Sequence, residues 1–217
     1  MEFLRSLDIF EGLDDDVIGC LSKGFQKRSF AADEIIFHQG TPGSSCHIIT
    51  KGRVRIFVIG EEGRELSVRI LQPGEIFGEM ALFEDLPRSA SVQALEPTNT
   101  LVLHRDVLFQ CLERSPGLAL RLLQSLSARL RRVTSEAEEL ASLTVAERLI
   151  RRLQQMASWC GTRTEDGVRI DLPMTQQELA SLVGTRRESV NRAMMQLRRE
   201  GEIRVKDGWI ILLDDSV

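Results

Sequence analysis

No stretch of this 217-residue chain stays apolar for long. The longest uninterrupted run is Gly208-Trp209-Ile210-Ile211-Leu212-Leu213. A bilayer-spanning helix needs about 20 apolar residues, so no segment can span a membrane as a helix. The opening MEFLRSLDIFEGLDDD mixes charged and apolar residues without the basic-then-apolar order of a signal peptide, which makes the cytoplasm the expected compartment. Cysteine is sparse: Cys20, Cys46, Cys111 and Cys160 lie far apart, and no pair has C-x-x-C spacing. A zinc ribbon is thereby ruled out, a disulfide framework is not expected, and no clustered thiolates suit an iron–sulfur site. The three histidines (His38, His47 and His104) show no arrangement that marks a haem ligand, and structural roles are expected for each. No metal set, nucleophile–base pair or phosphate-hydrolysis motif is visible, so no catalytic chemistry is expected. Positive charge is not in excess either. A net charge of −4 speaks against blanket binding to nucleic acid but leaves room for a local basic surface.

What is present is the mix of a soluble globular protein, 42% hydrophobic and 28% charged, long enough for one medium and one small domain. Residues 30 to 105 read as β. Val54-Arg55-Ile56-Phe57-Val58 and Leu66-Ser67-Val68-Arg69-Ile70 alternate with period two, and Gly60-Glu61-Glu62-Gly63 between them suits a tight hairpin. Several short strands at this spacing predict a sandwich or barrel, with a short helix before it from Asp14 to Leu21. From 106 to 142 the period changes. Ala119, Leu123, Leu126, Leu130, Val133, Ala137 and Leu140 form an a/d heptad, flanked by charges that include Arg129 and Glu136. Two readings stand, an amphipathic helix on its own domain or a dimer seam, and the narrow stripe favours the seam. Thr144-Val-Ala-Glu147 has capping-box spacing and opens a helix towards Trp159. The tail holds two strands around Asp207-Gly208, a type I′ hairpin signal.

Thr175 to Gly201 is the most specific segment. Thr175-Gln-Gln-Glu178 caps a first helix holding Leu179, Ala180 and Leu182. Gly184 supplies a turn, and a second helix runs from about Arg186 to Arg199. A small residue at 180, a glycine at 184 and a β-branched residue at 190 are what a helix-turn-helix needs. The second helix carries Arg186, Arg187, Arg192, Arg198 and Arg199 against the single acid Glu188. Arg187 and Arg192 fit one groove-facing arc, where arginine reads guanine and a carboxylate accepts from cytosine N4. Glu188 has a second reading, as the closing residue of a Thr185-Arg-Arg-Glu188 capping box. The hairpin that follows reads as a wing.

A separate signal lies in Phe77-Gly78-Glu79-Met80-Ala81-Leu82-Phe83-Glu84-Asp85-Leu86-Pro87-Arg88-Ser89. Gly78 lets backbone approach a ligand, Glu79 to Phe83 form one helical turn, and Arg88 offers a fork for phosphate. Glu79 can accept from a ribose hydroxyl. Equally, Glu79 and Arg88 can form an internal ion pair with no ligand.

The Gly78–Val92 stretch resembles the phosphate cassette of cyclic-nucleotide-binding domains, and Thr175–Gly201 resembles the helix-turn-helix of the CRP/FNR transcription regulators. The resemblance covers essentially the whole chain in the family's order. It implies an α+β fold with a jelly-roll-like β-roll at 1–118, a dimerisation helix at 119–142 and a winged helix-turn-helix at 143–217. It further implies a homodimer that binds double-stranded DNA, works with RNA polymerase, and takes cAMP as effector rather than catalytic cofactor. Gly78 and Glu79 would hold the ribose, Arg88 with Ser89 the cyclic phosphate, and Met80 belongs to the same ligand-binding set. Thr134 and Ser135 match the pair that meets adenine, the threonine within its own subunit and the serine across the dimer. Serine after Arg88 fits cAMP better than cGMP. Thr175, Gln176, Arg186, Arg187, Glu188, Asn191 and Arg192 form the implied DNA contact, with TGTGA-type half-sites. Arg186 replaces a usual serine and Gln176 a basic residue, which puts flanking contacts in doubt. The polymerase contact surface is not fixed by the resemblance; the loop Gly161–Gly167 is a candidate because it is polar and sits just before the helix-turn-helix. Two alternatives remain: a regulator of the same kind that works without cAMP, and a nucleotide-binding module acting through protein partners.

Overall fold

Among the described residues, glycine punctuation and short β-forming runs resolve into eight strands before the first long helix. The computed structural model describes residues 2–5, 7, 10–60, 63 and 65–213. Its contacts divide into two units, Met1–Val133 and Thr134–Val217. The first begins with helices α1 (Glu2–Arg5) and α2 (Asp15–Gly24). Strands β1 (Gln26–Phe30), β2 (Ile35–Phe37), β3 (Ser45–Lys51), β4 (Val54–Ile59), β5 (Glu65–Leu71) and β6 (Ile76–Phe77) follow. Helix α3 (Met80–Glu84), strands β7 (Ser91–Ala94) and β8 (Thr98–His104), and helix α4 (Arg105–Arg114) lead to the long helix α5 (Pro116–Ser142).

The strands form two antiparallel four-stranded sheets, ordered β1-β8-β3-β6 and β2-β7-β4-β5, the jelly-roll-like β-roll. Expected hairpin strands β4 and β5 pair from Val54↔Leu71 to Ile59↔Glu65. Glu61 and Glu62 of their connector lie outside the described residues. Period-two alternation decides the layers. Ile49, Val54, Leu71, Phe77 and Val92 form a buried apolar cluster of the sheets. Cys46 and Ile48, on the opposite parity of β3, join Ile18, Leu21, Leu108, Leu118 and Leu122 of the helices.

Ser115 accepts from the Leu118 amide at 3.2 Å and Pro116 takes the first helical position, so α5 starts three residues before the heptad does. The helix presents two different faces. Leu118 and Leu122 bury against its own domain, while Leu123, Leu130, Val133 and Leu140 stay exposed.

The second unit holds α6 (Val145–Cys160), β9 (Gly161–Thr164), β10 (Gly167–Ile170), α7 (Gln176–Leu182), α8 (Arg187–Arg199), β11 (Ile203–Lys206) and β12 (Trp209–Leu212). The capping box at Thr144 forms: the Thr144 amide donates to Glu147 at 2.7 Å and the Glu147 amide to Thr144 Oγ1 at 3.3 Å. The segment expected as a polar loop, Gly161–Gly167, is instead most of a hairpin, with Gly161–Thr164 paired to Gly167–Ile170. Its threonines are β-branched and fit a strand despite their polarity. Asp207 and Gly208 both take positive φ (52° and 83°), the conformation of a type I′ turn. The sheet order is β11-β12-β10-β9. Among the described residues no helix is long and apolar enough to cross a membrane.

Candidate ligand pocket and nucleic-acid interface

Strand β6 ends at Phe77 and is followed by Gly78, whose φ of +77° favours glycine. A Cβ there would lie 2.6 Å from Arg88 Nη1 and 3.3 Å from the Phe37 ring, so the residue also makes room for the arginine. Glu79 follows as the N-cap residue of α3, one position ahead of the helical turn expected to include it. Its side chain is buried (2% exposed). One carboxylate oxygen accepts from Arg129 Nη1 of α5; the other, Oε2, is buried without a partner.

Arg88, 6% exposed, donates from Nη1 to the Gly78 carbonyl at 2.6 Å and from Nη2 to Ser45 Oγ at 3.4 Å. Its guanidinium lies 4.1 Å from the Phe37 ring centroid. Its Nε is buried with no acceptor, and a Cβ at Gly43 would lie 2.6 Å from it. Burial holds the Arg88 pKa below its ordinary value. The direct Glu79–Arg88 ion pair is not formed: Glu79 pairs with Arg129, and among the described residues Arg88 hydrogen-bonds to the Gly78 carbonyl and Ser45 Oγ, with Glu79 acting on it only at longer range. A buried cation without a contacting carboxylate is costly unless an anion completes it. A buried carboxylate oxygen next to it asks for a hydroxyl donor. A hydroxylated anion fits both. Ser89 and Met80 are exposed and joined by a 3.7 Å contact from Ser89 Oγ to Met80 Sδ. Thr134 and Ser135 are exposed positions of α5, in the second unit.

In the sequence Arg129 stands out only as a charged flank of the heptad. Phe37, Gly43 and Ser45 carry no signal of their own there, because they come from segments remote in the chain.

In the second unit, Thr175 and Glu178 form the expected capping box at the start of α7, with the Glu178 amide 3.2 Å from Thr175 Oγ1. Gly184 takes φ +64°, and the Thr185 amide reaches back to the Ala180 carbonyl at 3.0 Å. This is the closure that ends a helix through a left-handed glycine. Ala180 and Val190 are fully buried where α7 meets α8.

Arg186 is the N-cap of α8 and makes no side-chain cap, so the Thr185–Glu188 capping box does not form. Glu188 stands in the first turn, exposed. Val190, Ala193, Met194 and Leu197 face the core. At about 100° per residue, Arg187, Asn191, Glu188 and Arg192 share one arc of about 140°. Arg187 Nε lies 3.4 Å from Gln176 Oε1, which joins two of the expected contact residues across the turn. Arg192 Nη2 lies 3.4 Å from Ser189 Oγ. Among the described residues none of the α8 arginines is ion-paired.

Comparison with known proteins finds a match for each of the two regions. A cyclic nucleotide-binding domain model matches residues 27–115, and a Crp-like helix-turn-helix domain model matches residues 147–216. The chain is 33% identical over 215 residues to the CRP-like cAMP-activated global transcriptional regulator of Mycobacterium tuberculosis, covering 99% of this chain and 96% of that one. It is 32% identical over 211 residues to the cyclic AMP receptor protein of Thermus thermophilus, covering 95% and 93%. Among solved structures, the c-di-GMP responsive global regulator of Xanthomonas campestris superposes with a TM-score of 0.81 at 26% identity, covering 92% of this chain and 99% of that one. A CRP/FNR family transcriptional regulator from Thermus thermophilus gives 0.75 at 32% identity, covering 87% and 94%.

Proposed function

The chain belongs to the CRP/FNR family of DNA-binding transcription regulators, not enzymes, and we propose that it works as a cytoplasmic homodimer switched by cAMP. The observation that carries the ligand half is Arg88, a buried guanidinium with an unused Nε beside a carboxylate with an unused Oε2. Arg88 with Ser89 would hold the cyclic phosphate, and Glu79 the ribose hydroxyl, flanked by Gly78 and Met80. Arg129 ties Glu79 to α5, so an occupied pocket is registered at the long helix. The family assigns adenine to Thr134 and to the partner's Ser135, and the serine at 89 favours cAMP over cGMP.

The exposed stripe supports dimerisation, since Leu130 leaves 68% of its surface to solvent. A helix with Leu123, Leu130, Val133 and Leu140 in the open has a seam for a second copy. We read residues 1–118, 119–142 and 143–217 as pocket, seam and DNA-binding parts. The break between α5 and α6 at Leu143-Thr144 serves as hinge. A dimer would set two α8 helices roughly 34 Å apart on a TGTGA-type palindrome. Ligand shifts the dimer towards that spacing only by its difference in affinity for the two states. The β9–β10 hairpin is the proposed polymerase surface.

A second reading of the effector comes from the c-di-GMP responsive structural relative. Fluorescence anisotropy of a TGTGA palindrome at fixed salt, with cAMP, with c-di-GMP and with neither, separates the readings. Tightening by cAMP alone supports the proposal. Equal specific binding in all three keeps the DNA function and removes nucleotide control.

A further inference from the structure

The cations of the winged module fall into two electrostatic classes. Among the described residues those of α8 are without ion-pair partners. Those of β11 are not. Arg204 and Lys206 alternate on β11 and so share one face. Both donate to the same carboxylate: Arg204 Nη1 to Asp166 Oδ1, and Lys206 Nζ to Asp166 Oδ2 at 3.0 Å. Asp166 sits in the turn between β9 and β10, 38 and 40 residues away. Lys206 first, then Arg204, hold its carboxyl below the usual carboxylate range.

The same hairpin handles the third cation of that face. Arg169 of β10 and Arg204 of β11 both lie opposite Ile211 of β12, so they project from the same side of the sheet. Arg169 Nε donates to Asp171 Oδ1 at 2.6 Å, with its guanidinium 5.3 Å from the Trp209 ring centroid. Asp166 in the turn of the hairpin and Asp171 just after β10 supply the acids for the three bases of this face.

From this arrangement we infer that Asp166 is a specificity-determining residue that withholds the wing cations Arg204 and Lys206 from DNA phosphate. A phosphate that approaches Lys206 Nζ meets a carboxylate already bound there. Phosphate contacts strengthen binding to every sequence alike, whereas base contacts discriminate. Masking the wing therefore leaves the arginines of α8, none of them ion-paired among the described residues, as the cations still open to DNA. The inference rests on the DNA-binding reading of this unit, not on the identity of the effector or the operator.

The test is anisotropy of the full-length protein on a TGTGA palindrome and on a scrambled duplex across a fourfold range of salt. Asp166→Asn is expected to bind both duplexes more tightly. Its slope of log K against log salt should steepen by about 1–2, an extra loss of roughly four- to sixteenfold over that range. Arg204→Gln/Lys206→Gln in the presence of Asp166 should change the slope little, and adding Asp166→Asn to that pair should produce no steepening. An unchanged slope in Asp166→Asn overturns the inference. So does weaker binding to both duplexes, which would make the carboxylate a strut that holds the wing in place for DNA. If the wild type fails to prefer the palindrome, the TGTGA reading falls, while the slopes on the scrambled duplex still decide the role of Asp166.

Discussion

Arg129 of the long helix donates to the buried carboxylate of Glu79, 50 residues earlier in the chain. Its Nη2 also donates to the Ile76 carbonyl at 3.1 Å, so one guanidinium ties α5 to the strand end that forms the pocket. Arg129→Ala leaves Glu79 buried and unpaired. Arg129 is partly exposed, so the expected cost lies somewhat below that of a fully buried pair, on the order of 2–4 kcal/mol in urea unfolding. Arg129→Ala/Glu79→Gln should recover much of it, because the second change removes the stranded charge. A double variant no more stable than the single one would show that the loss is packing rather than charge.

Arg88→Leu should cut cAMP affinity roughly 10- to 100-fold in calorimetric titration, the worth of charge-assisted bonds to phosphate. Its melting temperature should hold or rise, since the change removes a desolvated cation. Binding unchanged by this substitution would remove the pocket assignment.

Arg187→Ala and Arg192→Ala should each weaken palindrome binding by about 1–3 kcal/mol and relax preference at one base position. Arg186→Ala should weaken all duplexes alike and lower the salt slope by about 1. Anisotropy against single-base variants of the half-site separates the two behaviours. If Arg187→Ala weakens every variant equally, it contacts phosphate and not base.

His47 stacks on Phe77 at 4.9 Å between centroids and meets Thr100 Oγ1 at 3.2 Å. Burial, with Arg88 and Arg28 nearby, pushes its pKa down to about 4. The unfolded chain, with an ordinary value near 6.5, takes up the proton first. Stability is thus full above about pH 6.5 and is lost as pH falls towards 4, by about 3 kcal/mol at most. Urea unfolding at pH 7 and pH 4.5 should show a smaller acid loss in His47→Gln than in the wild type. Parallel losses would mean that the carboxylates dominate this range.

Local patterns are legible in the amino-acid sequence itself. The capping boxes at Thr144 and Thr175, the glycine turn at 184 and the Asp207-Gly208 hairpin each depend on atoms within a few residues of one another. Period and cap chemistry therefore suffice to place them. The heptad on α5 is legible for the same reason. The short β9–β10 hairpin is not, because its residues are polar and its apolar face is supplied by Val168 and Ile170 alone.

Choices between partners are of another kind. Residue types and spacing narrow Glu79 to a ribose acceptor or an ion-pair partner of Arg88, and Glu188 to a reader or a cap. The Glu188 choice turns on which residue starts α8, where Arg186 and not Thr185 is the N-cap; the Glu79 choice is not local. Glu79 meets Arg129 because α5 packs on the sheet through Leu118 and Leu122. Asp166 meets Arg204 and Lys206 because β10 and β11 flank β12. Charged side chains take whichever partner the packed core brings within reach. Their pairing follows from long-range sheet order and helix register, which short-range periodicity does not encode.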